Sequence, residues 1–313
     1  MSEQPFLSVV IVSYNTREQL GNCLRSLSEN PAGFQVETLV ADNASVDGSP
    51  EMVANDFPTV RLIKIPENLG FAGANNRAIH EARGKHLLLL NSDTLVLPGA
   101  LEEMVRAMEN NPKAGAVGCR LLNADGTLQR SLRTFPNFFV HFIEMLELYR
   151  LLGSGRLVGR VYPHNSDHRQ ARWIDWVPGA CMLIRGKAME QVGLLDEGYF
   201  MYAEDMDLCY RMKKHGWLTF FTPEAEIVHF GGGSSAPTRG KLIVEQYRSL
   251  YRFYQKHYSS GSLLGLKLLA FALSLPKVLL LLALGQGKPH RRELREAYWQ
   301  VALLGFRGRH AVR

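Results

Sequence analysis

At 313 residues and 46% apolar content, the chain is long enough for one large domain plus an appendage around a sizeable core, which excludes a disordered or fibrous protein. The net charge of +6 is unevenly spread: residues 236–313 hold 14 Lys and Arg against 3 Asp and Glu, and residues 1–235 hold 22 against 27. A basic tail suits nucleic acid or an anionic membrane; the apolar run inside it favours the membrane, and no zinc-finger or zipper spacing supports nucleic acid.

The chain opens with a short apolar run, Phe6 to Val12, and with Glu3 and Pro5 where a signal peptide needs basic residues, so nothing there directs export. Cys23, Cys119, Cys181 and Cys209 are scattered without metal-ligand spacing and read as reduced core thiols of a cytoplasmic protein. The opening run predicts a buried first strand ending at Ser13-Tyr14-Asn15-Thr16, and Leu20, Cys23, Leu24 and Leu27 predict a helix to about Glu29. The loop between them lacks glycine, so it is neither a dinucleotide turn nor a Walker-type phosphate loop.

Glu37 to Ala41 predicts a second strand, followed by a helix with Ser49 as its cap and Pro50 in its first turn. Asp42 at that strand end is either a turn residue or a carboxylate for a base or ribose. Val60 to Ile65 is the third strand. The stretch after it, Gly70-Phe-Ala-Gly-Ala-Asn75-Asn76-Arg77, opens a helix whose small residues suit either a close ligand or close packing on the sheet.

Leu87 to Leu90 reads as a central buried strand that runs directly into Asn91-Ser92-Asp93-Thr94. Ligands of open α/β sheets collect beyond the carboxyl ends of strands, so Asp93 is placed to hold a divalent cation against a diphosphate. An ordinary Asx-turn is the plain alternative.

A helix through Leu101, Val105 and Met108 and a strand at Ala116 to Cys119 follow. Residues 120–172 then lose the β/α rhythm and are taken as a substrate-side insertion, with mobile stretches at 153–155 and 163–167. Trp173 to Ile184 predicts one strand bent at Pro178-Gly179-Ala180, where something approaches backbone. A short helix from Gly186 precedes Glu204, Asp205 and Asp207, which cluster at the start of a helix stopped by Gly216, beneath an aromatic lip of Tyr199, Phe200 and Tyr202. Strands at 217–221 and 226–230 end at His229, ahead of a glycine-rich segment that suits a closing loop.

The ordered blocks SVVIVSYN, ADNASVDGS, NLGFAGANNRAI, LLLLNSDT, WVPGACMLIR, GYFMYAEDMDLCYR and IVHFGGGSS resemble family 2 glycosyltransferases of the GT-A fold, in particular their bacterial rhamnosyltransferase-like branch, over residues 6–235. The resemblance implies an α/β fold with a Rossmann-like, mostly parallel sheet flanked by helices. It also implies a transferase domain at 1–235, distinct from a helical extension at 236–313. Within the domain it implies a nucleoside pocket at Ser13, Tyr14, Asn15 and Asp42, and nucleotide neighbours Asn75, Arg77 and Ser92. Asn91-Ser92-Asp93 stands where the family has its DXD motif; with Asn at the first position, a Mg2+ or Mn2+ ion would rest on Asp93 aided by His229. Glu204-Asp205 resembles the family's ED motif, whose second acid is the catalytic base. The implied reaction is inverting transfer of a sugar from a nucleoside diphosphate sugar, dTDP-L-rhamnose as first choice, to a lipid-linked or polysaccharide acceptor in cell-surface glycan synthesis. A sugar nucleotidyltransferase would need a basic glycine-rich loop after the first strand; a silent nucleotide-sugar binding protein has only Asn91 in its favour.

In the tail, Tyr247, Leu250, Tyr251 and Tyr254 recur at helical spacing. Leu263 to Leu284 is apolar but broken by Lys267, Pro276 and Lys277, which predicts two half-helices lying in the headgroup region, with Arg291, Arg292 and Arg295 on anionic lipid. The expected location is therefore peripheral, on the inner face of the cell membrane. A helical cap on the core or a homodimer interface is the alternative reading of this tail.

Overall fold

The computed structural model describes residues 4–136, 168–231, 239–283 and 289–305. The stretches expected to be mobile at 153–155 and 163–167, and most of the glycine-rich segment after His229, lie outside the described residues. Those described divide into two compact units: 4–135 with 168–197 and 205–231, and 136 with 198–204, 239–283 and 289–305.

The first unit is built on a ten-stranded sheet. Three βα repeats make one side: β1 (Leu7–Ser13) and α1 (Arg17–Glu29), β2 (Val36–Asn43) and α2 (Ser49–Asp56), β3 (Arg61–Ile65) and α3 (Gly70–Glu81). β4 (His86–Asn91) lies beside β1, and the order β3-β2-β1-β4 is parallel throughout. The uninterrupted Val, Ile and Leu of β1 and β4 are what strands covered on both faces require. Beyond β4 the sheet is mixed. β9 (Cys181–Arg185) pairs antiparallel with β4 and with β6 (Ala114–Leu122), and β10 (Leu218–His229) runs parallel to β6. β5 (Thr94–Val96) closes the order on β10, while β7 (Leu128–Gln129) and β8 (Arg172–Ile174) add to β6 and β10. Leu20 and Leu24 of α1 and Leu101, Met104 and Met108 of α4 (Ala100–Asn110) bury against Val9, Ile11, Leu88, Leu90, Val117 and Leu183.

Several expected elements take a different form. The strands expected at 217–221 and 226–230 are one strand, β10, whose register slips between Thr222 and Glu226; Pro223 has no N–H for the ladder, so pairing skips there. Trp173 to Ile184 is two strands on different neighbours, β8 and β9, because the Pro178-Gly179 bend carries the chain across the sheet. Gly48, at φ +82°, caps α2 in place of Ser49, and the Asp47 carboxylate takes the Ser49 N–H at 3.0 Å. A left-handed residue there favours glycine, and the neighbouring Asp supplies the missing acceptor.

The second unit contains three helices, α7 (Arg239–His257), α8 (Ser260–Ala283) and α9 (Pro289–Leu304), numbered after α5 (Gly186–Val192) and α6 (Glu204–Lys214). α8 is a single 24-residue helix, where two half-helices were expected. Pro276 removes one intrahelical bond, but it sits on the exposed side while Ser274 and Val278 are anchored, so the helix continues through it. By length and composition alone α8 is long and apolar enough to cross a membrane.

Candidate active site

The parallel register aligns the ends of β1, β2 and β4, pairing Ser13 with Asp42 and Val12 with Asn91. The loops leaving β1 and β2 are stitched together. Asn15 donates its N–H to Ser45 Oγ (2.9 Å) and accepts the Val46 N–H on Oδ1 (2.8 Å), while the Arg17 N–H reaches Asp47 Oδ2 (2.8 Å). Asn15 (φ +53°) and Ala44 (φ +67°) both take left-handed backbone to make this seam. Asn15 thus helps hold the loops together, and Ser13 belongs to a buried hydroxyl chain. Ser13 Oγ lies 3.0 Å from Thr16 Oγ1, which donates to Ser92 Oγ at 3.0 Å. Tyr14 is half-buried at the same edge.

Asp42 is buried, with Oδ2 accepting the Ser45 N–H at 3.2 Å and Oδ1 lacking any hydrogen-bond partner among the described residues. Burial pushes its carboxyl above the usual range. An orphaned carboxylate oxygen in a buried strand end is suited to a ligand's N–H or O–H. Asn75 is buried and turned back on its own helix, donating to Phe71 O at 2.9 Å, while Arg77 is exposed on the second turn of α3. Asn76, which the sequence offers with Asn75 and Arg77 as a donor near the helix N-terminus, braces the chain beyond α5: it accepts the Leu195 N–H (3.1 Å) and donates to Leu195 O (2.9 Å) and to Glu197 Oε1 (3.0 Å).

Contacts on two sides gather the remaining residues at the end of β4. The Asn91 N–H donates to Ala180 O at 3.0 Å, and the preceding residue, Gly179, donates its N–H to Asp205 Oδ2 at 2.9 Å. On the other side, β10 returns antiparallel to β5, so the Phe230 N–H meets Asp93 O at 3.0 Å and His229 Nε2 stands 3.3 Å from Asp93 Oδ1. The same nitrogen is 3.3 Å from Asn91 Nδ2.

Asp205 is buried on the first turn of α6, with Oδ1 accepting the Met206 N–H at 2.7 Å. Burial raises its pKa against these backbone bonds and the positive charge of Arg133. A helix dipole by itself would favour the ionised acid; desolvation outweighs it here. Glu204 is also buried and belongs to the second unit. Asp207 is structural: with Arg211 (2.7 Å) it makes an ion pair whose guanidinium holds the carbonyls of Val192 and Leu194. Of the expected aromatic lip, Phe200 is exposed and Tyr202 half-buried, but Tyr199 is fully buried beneath Arg252.

No group of three or more His, Cys, Asp and Glu able to hold a metal occurs among the described residues. Asp93 Oδ1 and His229 Nε2 form a pair of hard and borderline donors of the kind that completes a cation site when a ligand supplies the other oxygens. Gln129 and Arg133 both lie in the stretch where sequence reading found no rhythm; Gln129 Oε1 is 2.6 Å from His229 Nδ1, and the charge of Arg133 acts on Asp205.

The model of the family described as glycosyl transferase family 2 matches residues 8–192. Among curated proteins, the N-acetylglucosaminyl-diphospho-decaprenol L-rhamnosyltransferase of Mycobacterium tuberculosis is 32% identical over 276 residues, covering 81% of this chain and 85% of that one. The rhamnosyltransferase WbbL of Escherichia coli (strain K12) is 25% identical over 256 residues, covering 78% and 91%. Among solved structures, a mannosyltransferase of Pyrobaculum calidifontis in complex with GDP-Man and Mn2+ superposes with a TM-score of 0.57 at 17% identity, covering 97% of this chain and 88% of that one. That likeness establishes the GT-A type of fold.

Proposed function

The chain belongs to glycosyl transferase family 2, and from that premise we propose that it is an inverting, metal-assisted rhamnosyltransferase that extends a lipid-linked glycan. The observation that carries the reading is the hydrogen-bonded path Asn91, Ala180, Gly179, Asp205, which sets a buried carboxylate beside the strand end that bears Asp93. In the proposed reaction an acceptor hydroxyl oxygen forms a bond to the anomeric carbon of the donor as the bond to the diphosphate breaks. Asp205 takes the hydroxyl proton, a task for which a carboxyl whose pKa burial raises is better matched than an ordinary one. Asp42 receives the nucleoside. Asp93 and His229 would hold Mg2+ or Mn2+, which supplies charge neutralisation to the departing diphosphate. Gly179 and Ala180 form the wall against which the sugar is oriented.

L-Rhamnose as the sugar and a lipid-linked, diphosphate-bound N-acetylglucosamine as the acceptor rest on what the mycobacterial relative's name says of that protein. dTDP is the nucleotide we assign to the donor. Residues 1–235 would form the transferase domain, and 236–313 would hold it peripherally on the inner face of the membrane, where such an acceptor is presented. The nucleotidyltransferase reading finds no support in the loop Ser13–Arg17, which has neither glycine nor phosphate-loop spacing. The test is transfer from a panel of nucleoside diphosphate sugars to a polyprenyl-diphospho-N-acetylglucosamine acceptor, with product mass and anomeric configuration read out. Turnover of dTDP-L-rhamnose with inversion is expected; turnover confined to another sugar overturns the donor assignment, and a retained anomeric configuration overturns the base.

A further inference from the structure

The turn between β6 and β7 carries a chain of polar side chains whose donor and acceptor ends are forced, one by the next. Asp125 is an ionised carboxylate and can only accept. The Thr127 hydroxyl lies 2.6 Å from Asp125 Oδ1 and therefore spends its single proton there, and the Thr127 N–H takes the same oxygen at 3.0 Å. With its proton committed, Thr127 Oγ1 can only accept, so the Asn123 atom 2.9 Å away is the amide nitrogen. Asn123 Oδ1 consequently faces Gln129, which must present its amide nitrogen at 3.1 Å; the same nitrogen also donates to His229 O at 3.2 Å. That leaves Gln129 Oε1 against His229 Nδ1 at 2.6 Å. A carbonyl oxygen there requires the proton of the neutral ring to be on Nδ1, and the lone pair to be on Nε2.

We propose that this Asp125, Thr127, Asn123, Gln129 relay fixes His229 in its Nδ1–H tautomer, so that Nε2 offers a lone pair toward Asp93 Oδ1, 3.3 Å away, with Gln129 as the positioning residue for a divalent cation held between them. Two acceptors facing each other at that distance repel unless a cation or proton lies between them. The Asn91 amide N–H, 3.3 Å from Nε2, is the donor that occupies the lone pair when no cation does, which gives a use to Asn in place of the first motif acid. A ligand His oriented through its other nitrogen is the usual arrangement of metal sites. The inference rests on the reading of Asp93 and His229 as the cation pair, but the tautomer is independent of it.

The experiment is long-range 15N–1H correlation NMR of the full chain at alkaline pH, with the His229 signal identified by its loss in His229→Gln. A protonated Nδ1 and unprotonated Nε2 are expected. Gln129→Leu should abolish that preference, Gln129→Glu should keep it because a carboxylate still accepts, and Asp125→Asn should weaken it by freeing the Thr127 proton. A wild-type ring protonated on Nε2, or one unchanged in Gln129→Leu, overturns the relay. Mn2+ binding followed by EPR with dTDP present should weaken about 10- to 100-fold in Gln129→Leu. If the tautomer is as expected but Mn2+ binding is unaffected in both Gln129→Leu and His229→Gln, the relay stands and the cation role fails.

Discussion

The Gly179 N–H points at the Asp205 carboxylate from 2.9 Å, and that one bond joins the bend before β9 to the first turn of α6. It supports an acid whose ionised form burial disfavours, since burial holds the Asp205 pKa above its ordinary value. The stability consequence has a definite sign. Between the unfolded pKa and the raised folded one, the folded state binds more protons than the unfolded state, so stability falls as pH rises through that window. Asp205→Asn removes the ionisation while keeping the shape. Its melting temperature should therefore exceed wild type at neutral pH and converge with it below the unfolded carboxyl pKa, while turnover drops about 100-fold or more and donor affinity is kept. Parallel melting curves and kinetics across pH measure this; a variant less stable than wild type at neutral pH would falsify the burial argument.

Gly179 also leaves little room for a side chain. A Cβ there would stand 3.1 Å from the Phe71 ring and 3.8 Å from the Asp205 Cβ. Gly179→Ala should push against Phe71, disturb the N–H aimed at Asp205 and cost about 1–3 kcal/mol of overpacking. Phe71→Leu should restore part of the lost turnover in the double variant, because it removes the atoms the methyl meets. Additive losses in the two single variants and their combination would place the defect elsewhere.

The strands and helices of the first half were legible because each carries its own period: apolar runs for β1 and β4, and 3.6-residue spacing for α1 and α4. Asp93, His229 and Asp205 stood out as acids or imidazole at element ends. Gln129 could not be found this way, because β7 is two residues long and its role arises only when β6, β7 and β10 pair, and Arg133 lies past β7, where its bridge to Trp176 is non-local. The charge pattern of α8 misled for a related reason. Lys267 and Lys277 look like interruptions in the sequence, but Lys267 lies over the Tyr251 ring at 5.8 Å and Lys277 over Tyr298 at 4.8 Å, so neither breaks the exposed face.

Within the second unit, the segment ahead of the acids is held by α7. Ser249 Oγ donates to Met201 O at 2.8 Å, and Arg252 covers the Tyr199 ring at 5.2 Å. Tyr202 (φ +70°) and Ala203 (φ +65°) then take consecutive left-handed backbone immediately before Glu204, a strained path that persists only where its surroundings enforce it. Arg252→Ala should relax this segment. The expected outcome is a loss of acceptor transfer with donor binding retained, read as a fall in kcat with dTDP affinity unchanged.

The final prediction concerns α8, whose two long sides are both apolar but have different neighbours. Leu266, Ala270, Ser274 and Val278 form a buried stripe at every fourth position, while Leu264, Leu268, Leu279, Leu280 and Leu282 are exposed. A row of half-exposed leucines on a helix already packed on its other side is a surface that water disfavours and a lipid headgroup boundary accommodates. The basic residues Arg291, Arg292 and Arg295 on the following helix would add attraction to anionic lipid. Burying the exposed part of one such side chain contributes roughly 1 kcal/mol by the area rule, so Leu268→Asp with Leu280→Asp should weaken partitioning to anionic liposomes by on the order of 30-fold. Raising the salt should weaken wild-type binding only in part, because the apolar contribution is unscreened. Co-flotation with liposomes of fixed anionic content measures both effects. Equal flotation of the wild-type and doubly substituted chains, with turnover of a soluble acceptor analogue unchanged, would assign the leucine row to another protein surface and remove the membrane from this account of the tail.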